Sequence, residues 1–497
     1  DHLGIKETMI RTRITNSHFF GKCNIGNCLI SNCNMISNVE VADDCVLMNC
    51  NNIVGSDSDS IPCSIMNVGS ECSNRKICLY SDTTDYIKTC SLMLGSRENR
   101  LLQLDTCPCQ HVRQWSGMEG KCMVIGRGSK IINSSVIHCY IDNSNSIISS
   151  DLEYSLVLNK GSRIEQSTVK NCVLHGNCLI NQYSIVNRSI LYPHSCVAEQ
   201  GKVFSSILGH DSAVSNGECH HCVLGSHTGF HHTSLLIAAI WTHRRGNLAY
   251  GAKIGGNHTG RVNDQECLLG EGCFFGLDTS VKFPFNMLNS PYSMVAGGTK
   301  CLNPQVIEYP FSLISNGTGT GNGTGSVDSS KPGIKPGWVL ASNAYVIERF
   351  VVYLYIYIQW YILDCTDCIC IYSMLYGVYL VVHMLHVYCT MHRAQSKFRS
   401  RQKSGHLHST YPIFRPYIIE QVMRSLEALQ LVAVAGEPIP VAVPVPVGAA
   451  VPVGVGDCVI VSQVDVVRGI EAYSNCIDRY IMQVSSKPIF GYIYDRL

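Results

Sequence analysis

From Ser155 onward the chain repeats one phrase. It runs SLVLNKGSRIEQSTVKN, CVLHGNCLINQYSIVNR, SILYPHSCVAEQGKVFS, SILGHDSAVSNGECHH, CVLGSHTGFHHTSLLIA. Each row opens on Ser or Cys, continues with two or three aliphatic residues and ends in a polar turn. The openings at Ser155, Cys172, Ser189, Ser206 and Cys222 are spaced 17, 17, 17 and 16 residues apart. Within a row an aliphatic residue recurs about every six positions, as from Leu158 to Ile164, Leu174 to Ile180 and Leu191 through Val197 to Val203. Ser17, Cys33 and Cys50 follow the same rule, 16 and 17 apart. A six-residue period with a small residue near each corner predicts a short strand and a tight turn, three times per coil. The fold class expected is therefore an all-β solenoid: a parallel β-helix of about 17 residues per coil whose aliphatic column fills the interior. Right-handed helices have longer, less regular coils, so a left-handed prism is expected. A β-sandwich would alternate polar and apolar residues instead. Leu158, Leu174, Leu191 and Leu208 should form one interior file.

The pattern also predicts how the chain is divided. Coils occupy 1–55 and a β-helix and cap block 119–314, with an irregular excursion over 56–118 in which SRENRLLQLD reads as a short helix. A flexible Gly/Ser/Thr linker follows at 315–337, and a helix start at 338–350. Residues 396–430 are helical, with YPIFRPYIIEQVMRSLEALQLV entering its helix from a proline-set turn. Low-complexity Pro/Val/Ala fills 431–456, and a C-terminal helix and tail, including VVRGIEAYSNCIDRYIMQ, fill 457–497.

Residues 351–395 admit two readings. Cys368 to Cys389 is long enough to span a bilayer, with Arg393, Lys397, Arg399, Arg401 and Lys403 on the cytoplasmic side. Alternatively the tyrosine-rich run is translated non-coding sequence, since its removal joins NAYVIERF to SKFRSRQK in one basic amphipathic helix. The composition favours the second reading, so a membrane partner is expected only if 351–390 is genuine protein. CTDCIC there lacks a second pair at zinc-site spacing.

Formal net charge is +1 over 497 residues, which gives no field to attract nucleic acid. Charged residues are only 15%, low for a helical protein. The 27 cysteines fall mostly in small-residue slots of the repeat, where a reduced Cys acts as a small hydrophobe. A reducing, cytoplasmic location is expected. The first residue is Asp1, so a missing N-terminal stretch is expected.

GFHHTSLLIAAIW, GNLAYGAKIGGNHTGRVNDQE, GEGCFFGL, VKFPFN, PYSMVAGGT and YPFSLI together resemble a family of large left-handed β-helix proteins of unknown function. That family belongs to the trimeric LpxA-like superfamily, with its acyltransferases and the β-helical tails of sugar-nucleotide pyrophosphorylases. The resemblance covers roughly residues 1 to 350, then YPIFRPYIIE and GIEAYSNCIDRYIM. It implies a homo-oligomer, a trimer by analogy, and brings no established activity. The excursion and residues 351–395 depart from it.

Superfamily acyltransferases place a histidine between neighbouring prisms to deprotonate a sugar hydroxyl or amine. Imidazole suits the task because its ordinary pKa lies near neutrality. His231, His232 and His258 are the candidate bases. Arg244, Arg245, Lys253 and Arg261 would hold a phosphate or carboxylate, with Asn257, Asp264 and Glu266 as helpers. Against this stands plain corner packing, which is the expectation for His220 and His221. A zinc site from Cys219, His220, His221 and Cys222 fails because alternate strand residues face opposite ways, so no metal site is expected. The function expected is a transferase acting on a nucleotide-linked or phosphorylated sugar. Acyl-CoA or a sugar nucleotide would be a substrate, and no cofactor is required. The alternative is a non-catalytic β-helical assembly or metabolite-sensing module, like the pyrophosphorylase tails.

Overall fold

The computed structural model describes residues 12–55, 65–69, 76–78, 123–255, 266–282, 284–301, 305–316, 332–343, 416–435, 459–460 and 463–485. They form two compact units, a solenoid and a C-terminal helical unit.

In the solenoid a coil typically contributes three short strands, with the seven-residue strands Phe19–Ile25 and Met35–Val41 each covering two faces in the first coils, and each strand pairs in parallel with its counterpart one coil away. Ser146–Ile148, Asp151–Glu153 and Leu156–Val157 make one such coil. They pair with Arg163–Glu165, Thr168–Lys170 and Val173–Leu174 of the next. The three strand positions define a first, second and third face, joined by three corners. Every third strand stacks in register, so the same position of each coil stays on the same side.

The centre of each strand points inward. On the first face the interior file runs Ile30, Leu47, Ile131, Ile147, Ile164, Ile180, Val197, Val214 and Phe230, all at most 1% exposed. On the third face it runs Ile125, Ile141, Val157, Leu174, Leu191, Leu208 and Leu224. Leu174, Leu191 and Leu208 line up as expected, but the position before them belongs to Val157. Leu158 lies one residue further on, half-buried at the corner. The two-residue strand Leu156–Val157 is apolar on both sides, so composition alone does not say which residue faces in.

The Ser/Cys column explains itself at the corners. Ser155, Cys172, Ser189, Ser206 and Cys222 are buried between the second and third faces. The Ser206 hydroxyl donates to Phe204 O at 2.7 Å and accepts the Cys222 N–H at 3.0 Å. Ser155 likewise donates to Glu153 O and accepts from the Cys172 N–H. Each small hydroxyl therefore satisfies buried backbone groups of two coils, which a larger residue would not fit. The Cys members keep the donor half, as Cys172 Sγ to Lys170 O at 3.0 Å. Burial pushes the Cys172 thiol up to about 12, so it stays protonated and inert. Among the described residues fifteen cysteines, Cys172 and Cys222 included, are free.

An asparagine ladder marks another corner. Asn16 donates to Asn32, Asn32 to Asn49 and Asn49 to Asn133, at 3.1, 3.2 and 3.2 Å. All four have left-handed φ, which Asn tolerates better than other side chains. Asn49 and Asn133 occupy neighbouring coils although 84 residues separate them. The chain leaves the solenoid after Gly55 and re-enters at Met123 on the third face, where Val124 and Ile125 pair with Tyr140 and Ile141. Within that insertion Ile65–Asn67 and Lys76–Cys78 form an antiparallel hairpin. The expected helix in SRENRLLQLD lies outside the described residues, as do 351–395 and most of both low-complexity segments.

The helical unit contains α1 (Trp338–Ser342), α2 (Pro416–Ala435) and α3 (Gln463–Ser485). Helix α2 buries Ile418, Val422 and Leu429, and α3 buries Val466, Ala472 and Tyr473. Gly469 sits where a side chain would strike Leu429 and Pro336, so α2 and α3 approach closely there. Tyr473 is fully buried and donates to Pro310 O at 2.7 Å. Among the described residues no helix is long and apolar enough to cross a membrane.

Truncating an interior rung should hurt far more than truncating an outward one. Leu191→Ala is expected to lower stability by about 2–5 kcal/mol. Ile185→Ala, at a position 37% exposed, should change it by less than about 1 kcal/mol. Chemical denaturation of both variants checks the difference.

Candidate functional site

The sequence candidates fall on separate edges of the solenoid. His231 ends the first-face strand Gly229–His231 and His232 follows at the corner with φ 58°. Both are exposed, and their rings meet edge-on at 4.4 Å. Because Phe230 is the inward residue of that strand, alternation turns His231 out. Gly251 N–H donates to His232 O at 3.1 Å, which puts exposed Lys253 on the next coil beside that corner. Arg244 and Arg245 lie elsewhere, half-buried at the corner between the third and first faces. Glu266 is half-buried where the chain turns into the third face. His258, Asn257, Arg261 and Asp264 lie outside the described residues. Cys219 and Cys222 point inward while His220 and His221 remain half-buried outside. Among the described residues no group of His, Cys, Asp and Glu is placed to hold a metal ion.

A richer constellation lies at the corner that carries the two arginines. His194, His210, His227 and His243 fall there one to a coil, 16, 17 and 16 residues apart, while the coils step by 17, 16 and 17, so the four are staggered rather than stacked position for position. Successive coils are tied by backbone bonds: Asp211 N–H to Pro193 O at 3.2 Å, His227 N–H to His210 O at 2.9 Å and Arg245 N–H to Ser226 O at 3.0 Å. His194, Asp211, His227 and Arg245 all hold left-handed φ at this turn, a conformation those bonds between coils stabilise. Recurrence once per coil was the available signal for this series, and a search confined to neighbouring residues passes over it.

His210 is the centre. Its exposed imidazole lies 5.5 Å from the Tyr192 ring, which stacks at 4.9 Å on His175. Partial burial pulls its pKa below the ordinary value. Asp211 opposes that, while the charges of His194 and Arg244 add to it. The imidazole is thus neutral near physiological pH, with an arginine close by. His175 is nearly inaccessible, and burial, with His210 adding, pulls it down to about 4. His227 Nδ1 lies 3.9 Å from the Asp211 carboxylate.

One coil beyond the two arginines, the same corner holds a buried carboxylate. Glu271 is 3% exposed and accepts a 2.6 Å hydrogen bond from Tyr292 Oη. Arg245 donates to the same Tyr292 oxygen at 3.5 Å. The Tyr292 ring lies over Gly272, where any Cβ would fall about 2.3 Å from the ring, and Gly272 has φ 67°. Glycine is therefore required there twice, for its backbone and for the ring above it. The corner presents guanidinium groups for an anion and a neutral imidazole to receive a proton.

Two outcomes are expected here. Gly272→Ala should displace Tyr292, break the Glu271–Tyr292–Arg245 network and destabilise the protein by about 2 kcal/mol or more, measured by chemical denaturation. The depressed His175 pKa fixes a sign for acid. Its contribution is fully present above about 6.5, the unfolded value, and is lost as pH falls toward about 4. At a shift of this size the loss is about 3 kcal/mol. His175→Phe should flatten that part of the stability–pH curve between about pH 6.5 and 4.

No protein-family model matches the chain. A stretch of 123 residues, 25% of the chain, is 31% identical to an uncharacterised protein of Treponema pallidum (strain Nichols). The matched region spans 15% of that relative's length.

Proposed function

We propose that the chain is a transferase-like β-helix protein of the left-handed, trimeric LpxA-like type, acting on a phosphorylated or nucleotide-linked sugar. The observation that carries this is the convergence of a neutral, exposed His210 with Arg244 on a corner that also carries Arg245. The guanidinium groups would grip the phosphate, in the bidentate way that arginine favours. His210 would accept the proton of a sugar hydroxyl or amine as that atom attacks the thioester carbonyl of an acyl-CoA. The C–S bond then breaks, and the imidazolium returns the proton to the departing thiolate. His231, His232 and Lys253 sit on a different corner and would belong to the same site only across a boundary between subunits. His210 thus joins His231, His232 and His258 as a candidate base in this reading.

A second reading is a non-catalytic assembly or sensing module. It is favoured by the use of histidines as stacking rungs: His138 on Tyr154 at 5.0 Å, His175 on Tyr192 at 4.9 Å and Phe204 on His220 at 4.9 Å.

Thermal-shift titration with acyl-CoAs, sugar phosphates and sugar nucleotides separates the two. The transferase reading expects a phosphorylated sugar to raise Tm, and Arg244→Ala to abolish the rise. It expects His210→Ala to keep binding but lose acyl transfer. A full panel without stabilisation, on a protein that melts cooperatively, would leave the scaffold reading in place.

A further inference from the structure

The third face carries a second apolar file, on the outside. Leu156, Val173, Ile190, Ile207, Val223 and Ile240 alternate with the interior file and point away from it, yet none is more than 6% exposed. An outward aliphatic row on a solenoid would ordinarily face water. Here the row forms one cluster with Met66, Val68 and Ile77 of the inserted hairpin, which are 1%, 0% and 2% exposed. The hairpin is also fixed at one rung. Gly69 N–H donates to His221 O at 2.7 Å, and the His221 Nδ1 lies 2.9 Å from Asn67 O.

Tyr192 belongs to this same cluster at 3% exposure. It is also the ring that stands between His175 and His210. The apolar seat of the hairpin and the ring stack of the candidate site therefore share a side chain. We propose that the paired strands Ile65–Asn67 and Lys76–Cys78 form a strap whose docking on the third face buries Tyr192 and so fixes the His175–Tyr192–His210 stack, making Tyr192 a positioning residue for the His210 corner. Release of the strap opens the back of the stack to water and lets Tyr192 turn. The consequence for catalysis rests on the transferase reading, but the effect on the rings does not.

Chain length makes the strap separable from the coils. The fourteen peptide units from Gly55 to Gly69, the residue bonded to the rung, reach at most about 46–50 Å. The His221 rung lies six coils from Met123, about 29 Å at about 4.8 Å per coil. Removing residues 57–63 leaves seven peptide units, at most about 23–25 Å, and places that rung beyond reach. The coils themselves keep every interior residue.

The test compares the whole chain with Met66→Asp/Ile77→Asp and with the 57–63 deletion. Histidine ring NMR across pH and exchange of the Gly69 amide are the readouts. The strap account expects Gly69 to exchange at least about tenfold faster in both variants while the far-UV spectrum is retained. It expects the His175 midpoint to rise by about one pH unit or more as water reaches the ring. The facing groups His194, His210, Asp211 and Arg244 are unchanged in every variant. A freely exchanging Gly69 with an unmoved His175 midpoint overturns the coupling, and a Gly69 that stays protected in both variants overturns the strap. If the double aspartate variant fails to fold, the deletion and the wild-type chain still decide. In the wild type, Gly69 should open well below the global unfolding free energy, and exchange only through global unfolding contradicts the proposal. Sugar-phosphate binding measured in parallel keeps failure of the transferase reading distinct, because the ring titration needs no ligand.

Discussion

Stacking of each coil in register on the last is the constraint from which the rest follows. A strand of two or three residues cannot be stable alone, and each here gains its hydrogen bonds only from the same strand one coil away. Register is held twice over. Interior aliphatics such as Leu174, Leu191 and Leu208 touch only if the coils are aligned. The corner hydroxyls, such as Ser206 between Phe204 and Cys222, find both partners only at the same alignment. A slip of one residue would turn the interior file outward and leave the corner groups buried without partners.

Because the interior and the corner hydroxyls carry the register, the outward positions and the turns are free to vary, and chemistry accumulates there. The corner between the third and first faces collects one histidine per coil, then two arginines, then a buried glutamate under Tyr292. Parallel stacking converts a spacing of 16 or 17 residues in sequence into neighbouring rungs in space. The same freedom admits the insertion between Gly55 and Met123, whose hairpin covers an outward apolar row and meets the histidine corner through Tyr192.

Much of this was legible in the sequence, for identifiable reasons. The six-residue rule gives the coil, and the Ser/Cys column gives its corners, because only small residues fit there. The choice of Leu158 over Val157 went astray where a two-residue strand is apolar on both sides. That double apolarity was itself informative, since Leu156, Val173 and Ile190 face a second, outer cluster. His231 and His232 attract attention by adjacency, whereas His194, His210, His227 and His243 are dispersed along the chain and are seen together only by reading coil by coil. The role of Tyr192 could not be read at all, because it depends on a hairpin more than 100 residues away in the sequence and on nothing adjacent to it.

The most direct test of in-register stacking is the pair Asn49 and Asn133, distant in sequence and bonded across one coil step. In perdeuterated protein labelled selectively at asparagine, the account predicts a strong side-chain amide contact between them, equal to that between Asn16 and Asn32. Observation of the Asn16–Asn32 contact with none between Asn49 and Asn133 would contradict it.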